Sequence, residues 1–189
     1  MKNKFLKGTI ASVIVLTTVA FTTEKKTVNV AESQVNWKGE KVTGSHYGNI
    51  QLKSGYFTME DEKITGGEFV MDMTSINVTD LEGESKQKLE GHLKSEDFFG
   101  VEKYPTAKLV ITSAAKKSEG VYGIVGNLTI KEDTHPVTFD LTMNGDAAST
   151  KLTIDRSKYN VRYGSGSFFD NLGDKTIYDN FDLEVDLKF

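Results

Sequence analysis

The chain has 189 residues, no cysteine, 17 glycines and only 2 prolines. The lack of cysteine excludes disulfides, thiolate metal sites, a cysteine nucleophile and a lipid-modified N-terminal cysteine. The formal net charge of −4 disfavours nucleic-acid binding, which depends on neutralising phosphates with basic side chains. The length indicates one domain, and many glycines with few prolines are typical of closely spaced turns between strands.

The first 23 residues differ from the rest of the chain. Three lysines lie among the first seven residues, and residues 8–23 carry no charge. The apolar run is shorter than the about 20 residues of a membrane-spanning helix and has the length of a secretory signal peptide. We therefore predict a signal peptide over residues 1–23 and a domain over residues 24–189, with an uncleaved anchor as the alternative.

Removal of residues 1–23 would leave 20 basic and 27 acidic residues, a net charge near −7. Such a charge disfavours docking on anionic lipid surfaces. The signal-like segment predicts a periplasmic or secreted protein with no stable membrane span after cleavage.

Most of the remaining sequence alternates apolar and polar residues with a period of two, which is typical of strands with one buried face. One strand is predicted from Ile64 to about Ile76, and the cleanest alternation runs from Phe181 to the last residue. Residues 43–48 are interpreted as a turn, and Asn144-Gly145 is a strong hairpin signal. About eight strands joined by short links predict antiparallel neighbours.

One stretch breaks this period. Leu89, His92 and Leu93 share one helical face, and Pro105 blocks continuation of a helix. We predict one short helix near residues 84–99, followed by an aromatic loop. Together they would cover an opening in the β structure.

Eight antiparallel strands form either a sandwich or a barrel, and the pattern alone leaves both open. A barrel of about eight strands is filled by side chains or holds one small ligand. None of the predicted inward residues is charged, so a ligand inside would be lipid-like and held by apolar burial. The alternative is that the same residues pack a filled core. The inward residues are Trp37, Phe69, Met71, Met73, Leu109, Ile111, Phe139, Leu141, Met143, Phe181, Leu183 and Val185.

No catalytic constellation is predicted. His46, His92 and His135 have no metal-binding spacing, so an enzyme that uses them is a minor alternative. The run at residues 164–167 is not a nucleophile elbow, because Phe168 stands where the second glycine belongs. We predict no catalytic residue, no metal site and no cofactor.

Asp155-Arg156 interrupts the alternation at the end of a predicted strand. An ion pair here would pin the nearby loop, which is the favoured interpretation, or orient the headgroup of a ligand.

The helix-loop stretch resembles the signature of the YceI-like family of polyisoprenoid-binding proteins, and the resemblance extends over nearly all of residues 27–189. The matching segments are Gly91-His92-Leu93-Lys94-Ser95, Asp97-Phe98-Phe99, Val101, Tyr104-Pro105, Ala107, Ser33 to Lys41, Phe69 to Ser75, Gly126 to Ile130, Pro136 to Phe139, and Ile154-Asp155-Arg156 with Tyr159. The resemblance implies an all-β, lipocalin-like barrel of eight antiparallel strands. It also implies binding of isoprenoid chains or other long amphipathic lipids, and it supplies no catalytic residue.

From these observations we expect an exported protein that holds a long-chain isoprenoid or fatty lipid for transport, storage or stress protection. The barrel mouth would be covered by His92, Phe98, Phe99, Phe168 and Phe169. The alternative is a filled-core module that binds another envelope protein. The barrel exterior is compatible with a homodimer.

Overall fold

The computed structural model describes residues 23–189. The signal peptide predicted over residues 1–23 lies outside the described residues, except for Thr23. The described chain forms nine strands and one α-helix. The strands are β1 (Thr23–Thr27), β2 (Gln34–Lys41), β3 (Gly44–Glu60), β4 (Lys63–Val78), β5 (Thr106–Ser118), β6 (Val121–Ile130), β7 (Asp133–Asn144), β8 (Ala147–Asp155) and β9 (Ile177–Lys188), with helix α1 (Gly83–Lys94) between β4 and β5.

Strands β2 to β9 form a closed antiparallel barrel. Each strand pairs with its neighbours in the sequence, and β9 returns to pair with β2, so that Val35 lies opposite Val185. The predicted eight-stranded antiparallel barrel with one short helix is confirmed, and the sandwich is excluded. The helix begins at Gly83, one residue before the predicted region, and ends at Lys94, inside it.

The ninth strand, β1, was not predicted. Strand β3 has 17 residues, and β2 covers only its first part, residues 44–49. Strand β1 pairs with residues 56–60 on the rest of that edge. An uncovered strand edge is a site of unwanted pairing, and β1 protects it.

The turn predicted over residues 43–48 is wrong in extent. Strand β3 begins at Gly44, so only Val42 and Thr43 connect it to β2. A side chain at Gly48 would collide with the carbonyl oxygen of Asn77 and approach the Trp37 ring within 2.8 Å. This glycine therefore serves close packing inside a strand and does not mark a turn.

The two ends of the barrel are built differently. At one end, which we call the packed end, two-residue turns join β3 to β4, β5 to β6 and β7 to β8. At the other, which we call the helix end, lie α1 and the long connection over residues 156–176. The helix packs against β4, and the Glu90 side chain accepts a 2.9 Å hydrogen bond from the backbone N–H of Val78.

The barrel wall is unevenly hydrogen-bonded. Strands β6 and β7 pair along residues 121–130 and 133–142. Strands β7 and β8 pair only at residues 142–144 and 147–149, close to their shared turn. Beyond that turn, the Thr150 hydroxyl donates a 2.7 Å hydrogen bond to the carbonyl of Asp140. We call this stretch the β7–β8 seam.

Candidate functional site: an apolar cavity inside the barrel

The barrel encloses a cavity of about 210 Å³. Its wall takes side chains from all eight barrel strands, together with Leu93 of α1 and with Phe98 and Phe99 of the following turn. Alternate residues of a strand point to opposite faces, so the period of two in the sequence places these apolar side chains inside. A dry apolar cavity of about 150 Å³ is large enough to bind benzene, and this one is larger.

The structure brings eleven of the twelve predicted inward residues together around the cavity. These are Trp37, Phe69, Met71, Met73, Leu109, Ile111, Phe139, Leu141, Phe181, Leu183 and Val185. Met143 does not line the cavity; it packs against the hydrophobic cluster of the packed end. That any of them contacts a ligand stays a prediction.

Several cavity-lining residues were not predicted from the sequence. Ile50, Leu52 and Phe57 lie on β3, and Leu128 and Leu152 lie on β6 and β8. The alternation of Ile50 with Leu52 was a usable signal. The glycines in β6 obscured its inward face, so Leu128 was harder to assign.

Several inward-pointing side chains of the cavity wall are not fully buried by other protein atoms. Phe181, Leu183 and Val185 alternate along β9 with exposed acidic residues, yet all three are only half-buried. Trp37 on β2 is also half-buried, and its Nε1 donates a 3.2 Å hydrogen bond to the Asn49 carbonyl. Apolar side chains that point inward but keep accessible surface indicate space that protein packing does not fill.

The turn after α1 covers the cavity at the helix end. Phe98 is buried, its ring centroid lies 5.0 Å from that of Phe99, and the Phe99 ring lies 6.5 Å from that of Phe181. The Ser95 backbone N–H donates to the His92 carbonyl and ends the helix. Gly100 has a φ of 57°, a left-handed conformation that favours glycine and turns the chain back toward β5.

His92 lies beside this cover without lining the cavity. Its ring packs edge-on between Phe98, at 5.6 Å, and Tyr163, at 4.3 Å. Among residues 23–189, its Nε2 is buried without a hydrogen-bond partner. His92 therefore joins α1 to the long loop before β9 through aromatic contacts.

Phe168 and Phe169 do not line the cavity. Both are exposed at the surface of the long loop, and the Arg162 guanidinium lies 5.0 Å from the centre of the Phe168 ring. Their predicted role in covering the barrel mouth stays a prediction.

Arg156 is the charged side chain buried in the cavity wall. It is 2% exposed and donates four hydrogen bonds of 2.8–3.1 Å to backbone carbonyls. The acceptors are Val161, Tyr163, Ile177 and Tyr178. The guanidinium thus ties the start of the long loop to the start of β9.

The partner of Arg156 differs from the expected one. A carboxylate oxygen of Asp179 lies 3.5 Å from the guanidinium, whereas Asp155 accepts hydrogen bonds from the Ser157 backbone N–H and hydroxyl. Burial lowers the pKa of Arg156, and Asp179 opposes that effect. Because four of its five N–H groups are already bonded, Arg156 pins the loop and is not available to hold an anionic headgroup.

The other histidines are not gathered into one site. His46 Nδ1 lies 2.7 Å from an Asp80 oxygen, and His135 packs edge-on against Tyr159. Over residues 23–189, no group of three His, Asp or Glu side chains is arranged to hold a metal ion. Within the same range, no helix is long and apolar enough to cross a membrane.

A model of the YceI-like domain matches residues 27–189. The chain belongs to the YceI-like family. The resemblance found in the helix-loop stretch is therefore confirmed over the whole described barrel.

Two curated relatives of the YceI-like family illustrate the similarity. The Protein YceI of Salmonella newport is 31% identical over 147 residues, which cover 77% of this chain and 74% of the relative. A UPF0312 protein of Pseudomonas putida is 31% identical over 113 residues. That match covers 59% of this chain and 57% of the relative, so it spans little more than half the length of that protein.

A solved structure repeats the same barrel. It is described as a polyisoprenoid binding domain from Saccharophagus degradans implicated in plant cell wall breakdown. The TM-score is 0.60 at 13% identity, over 89% of this chain and 97% of that one. At this identity the similarity concerns the fold.

Proposed function

We propose that this protein binds one long apolar chain, an isoprenoid or a similar amphipathic lipid, inside the barrel. The observation that carries the proposal is the cavity of about 210 Å³ with its almost wholly apolar wall. Membership of the YceI-like family and the polyisoprenoid-binding domain with the same fold support this ligand class. The alternative of a filled-core module would require a barrel without such a cavity, so the cavity favours lipid binding.

The chemistry of the cavity wall narrows the range of ligands that fit. The inward side chains are almost all apolar, and the Arg156 guanidinium is occupied by backbone carbonyls. A buried anionic headgroup would therefore lack a counter-charge, which is costly in an apolar site. We expect a hydrocarbon chain inside and a neutral or solvent-exposed polar end.

We propose that the protein binds its ligand without catalysing a reaction and that it is exported. The scattered histidines assemble no nucleophile, base and orienting group. Export rests on the signal-like composition of residues 1–23. Transport, storage and stress protection all remain compatible with one chain held away from water.

The first test is direct detection of a ligand. Native mass spectrometry of protein purified without detergent should show a stoichiometric adduct, and solvent extraction should release an isoprenoid or fatty chain. A clean apo mass that persists after incubation with polyprenols and fatty alcohols would contradict the proposal.

Trp37 provides a built-in reporter, because it is the only tryptophan in the chain and it lines the cavity. Titration with unbranched alcohols of increasing length should change its fluorescence. Each buried methylene contributes about 0.8 kcal/mol, so affinity should rise about fourfold per carbon until the cavity is full. An affinity independent of chain length would contradict burial of the chain.

A matched pair of variants tests whether the ligand binds inside the cavity. Val137 lines the cavity, whereas Val125 lies on the outer face of the neighbouring strand and is exposed. Val137→Phe should occupy ligand space and weaken binding at least about tenfold, an effect of about 1.4 kcal/mol. Val125→Phe makes the same chemical change outside and should leave affinity unchanged. Equal affinities in two folded variants would place the ligand elsewhere.

A further inference from the structure

The exposed large apolar side chains are concentrated at the helix end. Three of them lie on the long loop, one lies in the β2–β3 turn and one lies at the start of β9, and they are between 39% and 50% exposed. We call this set the aromatic rim: Val42, Tyr163, Phe168, Phe169 and Tyr178. Tyr47 on β3, Val30 at the packed end and Val125 on the outer wall are exposed apolar side chains outside this set.

Backbone hydrogen bonds hold the rim together. The Val42 N–H donates to the Thr176 carbonyl, and the Ile177 N–H donates to the Gly164 carbonyl. The Arg156 guanidinium bonds the carbonyls of both Tyr163 and Tyr178. These contacts bring the β2–β3 turn, the loop and the start of β9 to one place.

The two phenylalanines are displayed by an ordered loop. Their backbone N–H groups both donate to the carbonyl of Ser165, a residue with 0% exposure. The Ser167 hydroxyl donates a 2.6 Å hydrogen bond to Asp179. The loop therefore keeps Phe168 and Phe169 at the surface, where water is an unfavourable neighbour for their rings.

The rim is continuous with the cavity. Tyr178 lines the cavity and is also 49% exposed at the surface. Tyr178 therefore links the exposed apolar surface of the rim to the wall of the cavity.

We propose that the aromatic rim docks the barrel on the surface of a zwitterionic lipid bilayer. Tyrosine is suited to the bilayer interface, where its ring meets hydrocarbon and its hydroxyl meets water, and phenylalanine enters the hydrocarbon boundary. Two acids, Asp170 and Asp174, balance two bases, Arg162 and Lys175, over residues 162–178. A neutral patch on an acidic protein fits neutral headgroups better than anionic ones.

The rim has five large apolar side chains, and charged or polar residues such as Asp170 and Lys175 surround it. Shallow insertion of a few aromatic side chains needs no larger surface. The inference builds on the proposed lipid-binding function, which supplies the reason for contact.

The test is flotation of the purified protein with phosphatidylcholine vesicles. We expect Phe168→Ser/Phe169→Ser to lower the partition coefficient at least about tenfold, because two exposed rings are lost. The control, Val30→Ser/Val125→Ser, removes exposed apolar side chains away from the rim and should partition as the wild type does.

Separate measurements distinguish the outcomes. Trp37 fluorescence with a soluble alcohol, without vesicles, should be the same in both double variants, so a loss of docking is not confused with a loss of cavity binding. A wild type that fails to float, or floats only on anionic vesicles at low salt, overturns the proposal. A rim variant that changes a dimer to a monomer without altering flotation also overturns it and assigns the rim to a second copy of the chain.

Discussion

The packed end and the helix end of the barrel differ in how completely their inward side chains are buried. At the packed end, Phe57, Ile64 and Ile124 are 0–2% exposed and lie between short hairpins. At the helix end, inward residues such as Trp37 and Phe181 remain half-buried around free volume. The first arrangement stabilises the fold, and the second keeps apolar surface available. The difference indicates that a ligand would supply contacts that the protein alone does not make.

The ends also differ in the forces that close them. The packed end is closed by aromatic and aliphatic contacts, including the Phe57 and Phe69 rings at 5.0 Å. The helix end has its own apolar cluster, which includes Val101, Ile154 and Tyr159, but it also depends on hydrogen bonds from one buried guanidinium to a loop without regular strands. The order of the long loop should therefore depend mainly on Arg156, whereas stability at the packed end should be distributed over many side chains.

The largest expected effect comes from breaking the helix end. Arg156→Met should leave four backbone carbonyls without their donor and lower the free energy of unfolding by about 3–5 kcal/mol. Denaturant unfolding measures the loss, and hydrogen exchange should locate it in residues 157–178. Arg162→Met makes the same change at an exposed position and should cost about 0.5 kcal/mol or less. Equal losses would mean that Arg156 does not organise the loop.

A second pair compares apolar burial at the two ends. Ile124→Ala at the packed end should lower the free energy of unfolding by about 2–5 kcal/mol, because Ile124 is fully buried. Ile50→Ala deletes the same atoms from the half-buried cavity wall and should cost about half as much. Urea unfolding of both variants checks this. A larger loss for Ile50→Ala would mean that the wall is as tightly packed as the core.

The smallest expected effect is a change in how the free energy of unfolding depends on pH. Tyr159 lies at the helix end and is 1% exposed, and burial raises its pKa to about 12. The folded state keeps this proton between pH 10 and 12 while the unfolded state loses it. Stability from the neutral phenol is thus complete below about pH 10 and declines toward pH 12, by about 2 kcal/mol.

Tyr159→Phe isolates this effect, because the other titrating groups remain in both proteins. The wild type should lose about 2 kcal/mol more unfolding free energy than the variant between pH 10 and 12. Parallel pH profiles would show that Tyr159 ionises equally well in the folded state.

The strands and the helix were predictable because their signals are local. Alternation from Phe181 onward follows directly from one buried face, and Leu89 with Leu93 marked a helix. Eleven of the cavity-lining residues followed from the same rule. The role of Gly48 was misassigned, since a glycine that permits close packing has the same sequence signal as a turn.

The contacts that were not predicted join distant parts of the sequence. Asp155 was the adjacent candidate for Arg156, but the fold places Asp179 and four carbonyls around the guanidinium. Strand β1 depends on the length of β3, which its bulges near residues 49–54 disguised. A cavity also cannot be predicted from an apolar sequence pattern, because a filled core and a cavity use the same residues.

The β7–β8 seam gives the barrel wall a mechanical property. Over most of a closed sheet, widening the interior would break a row of backbone hydrogen bonds. At the seam, those bonds stop at residues 142–144 and 147–149, and the Thr150 hydroxyl reaches across just beyond them. The seam is therefore the part of the wall where sideways expansion would break the fewest backbone hydrogen bonds.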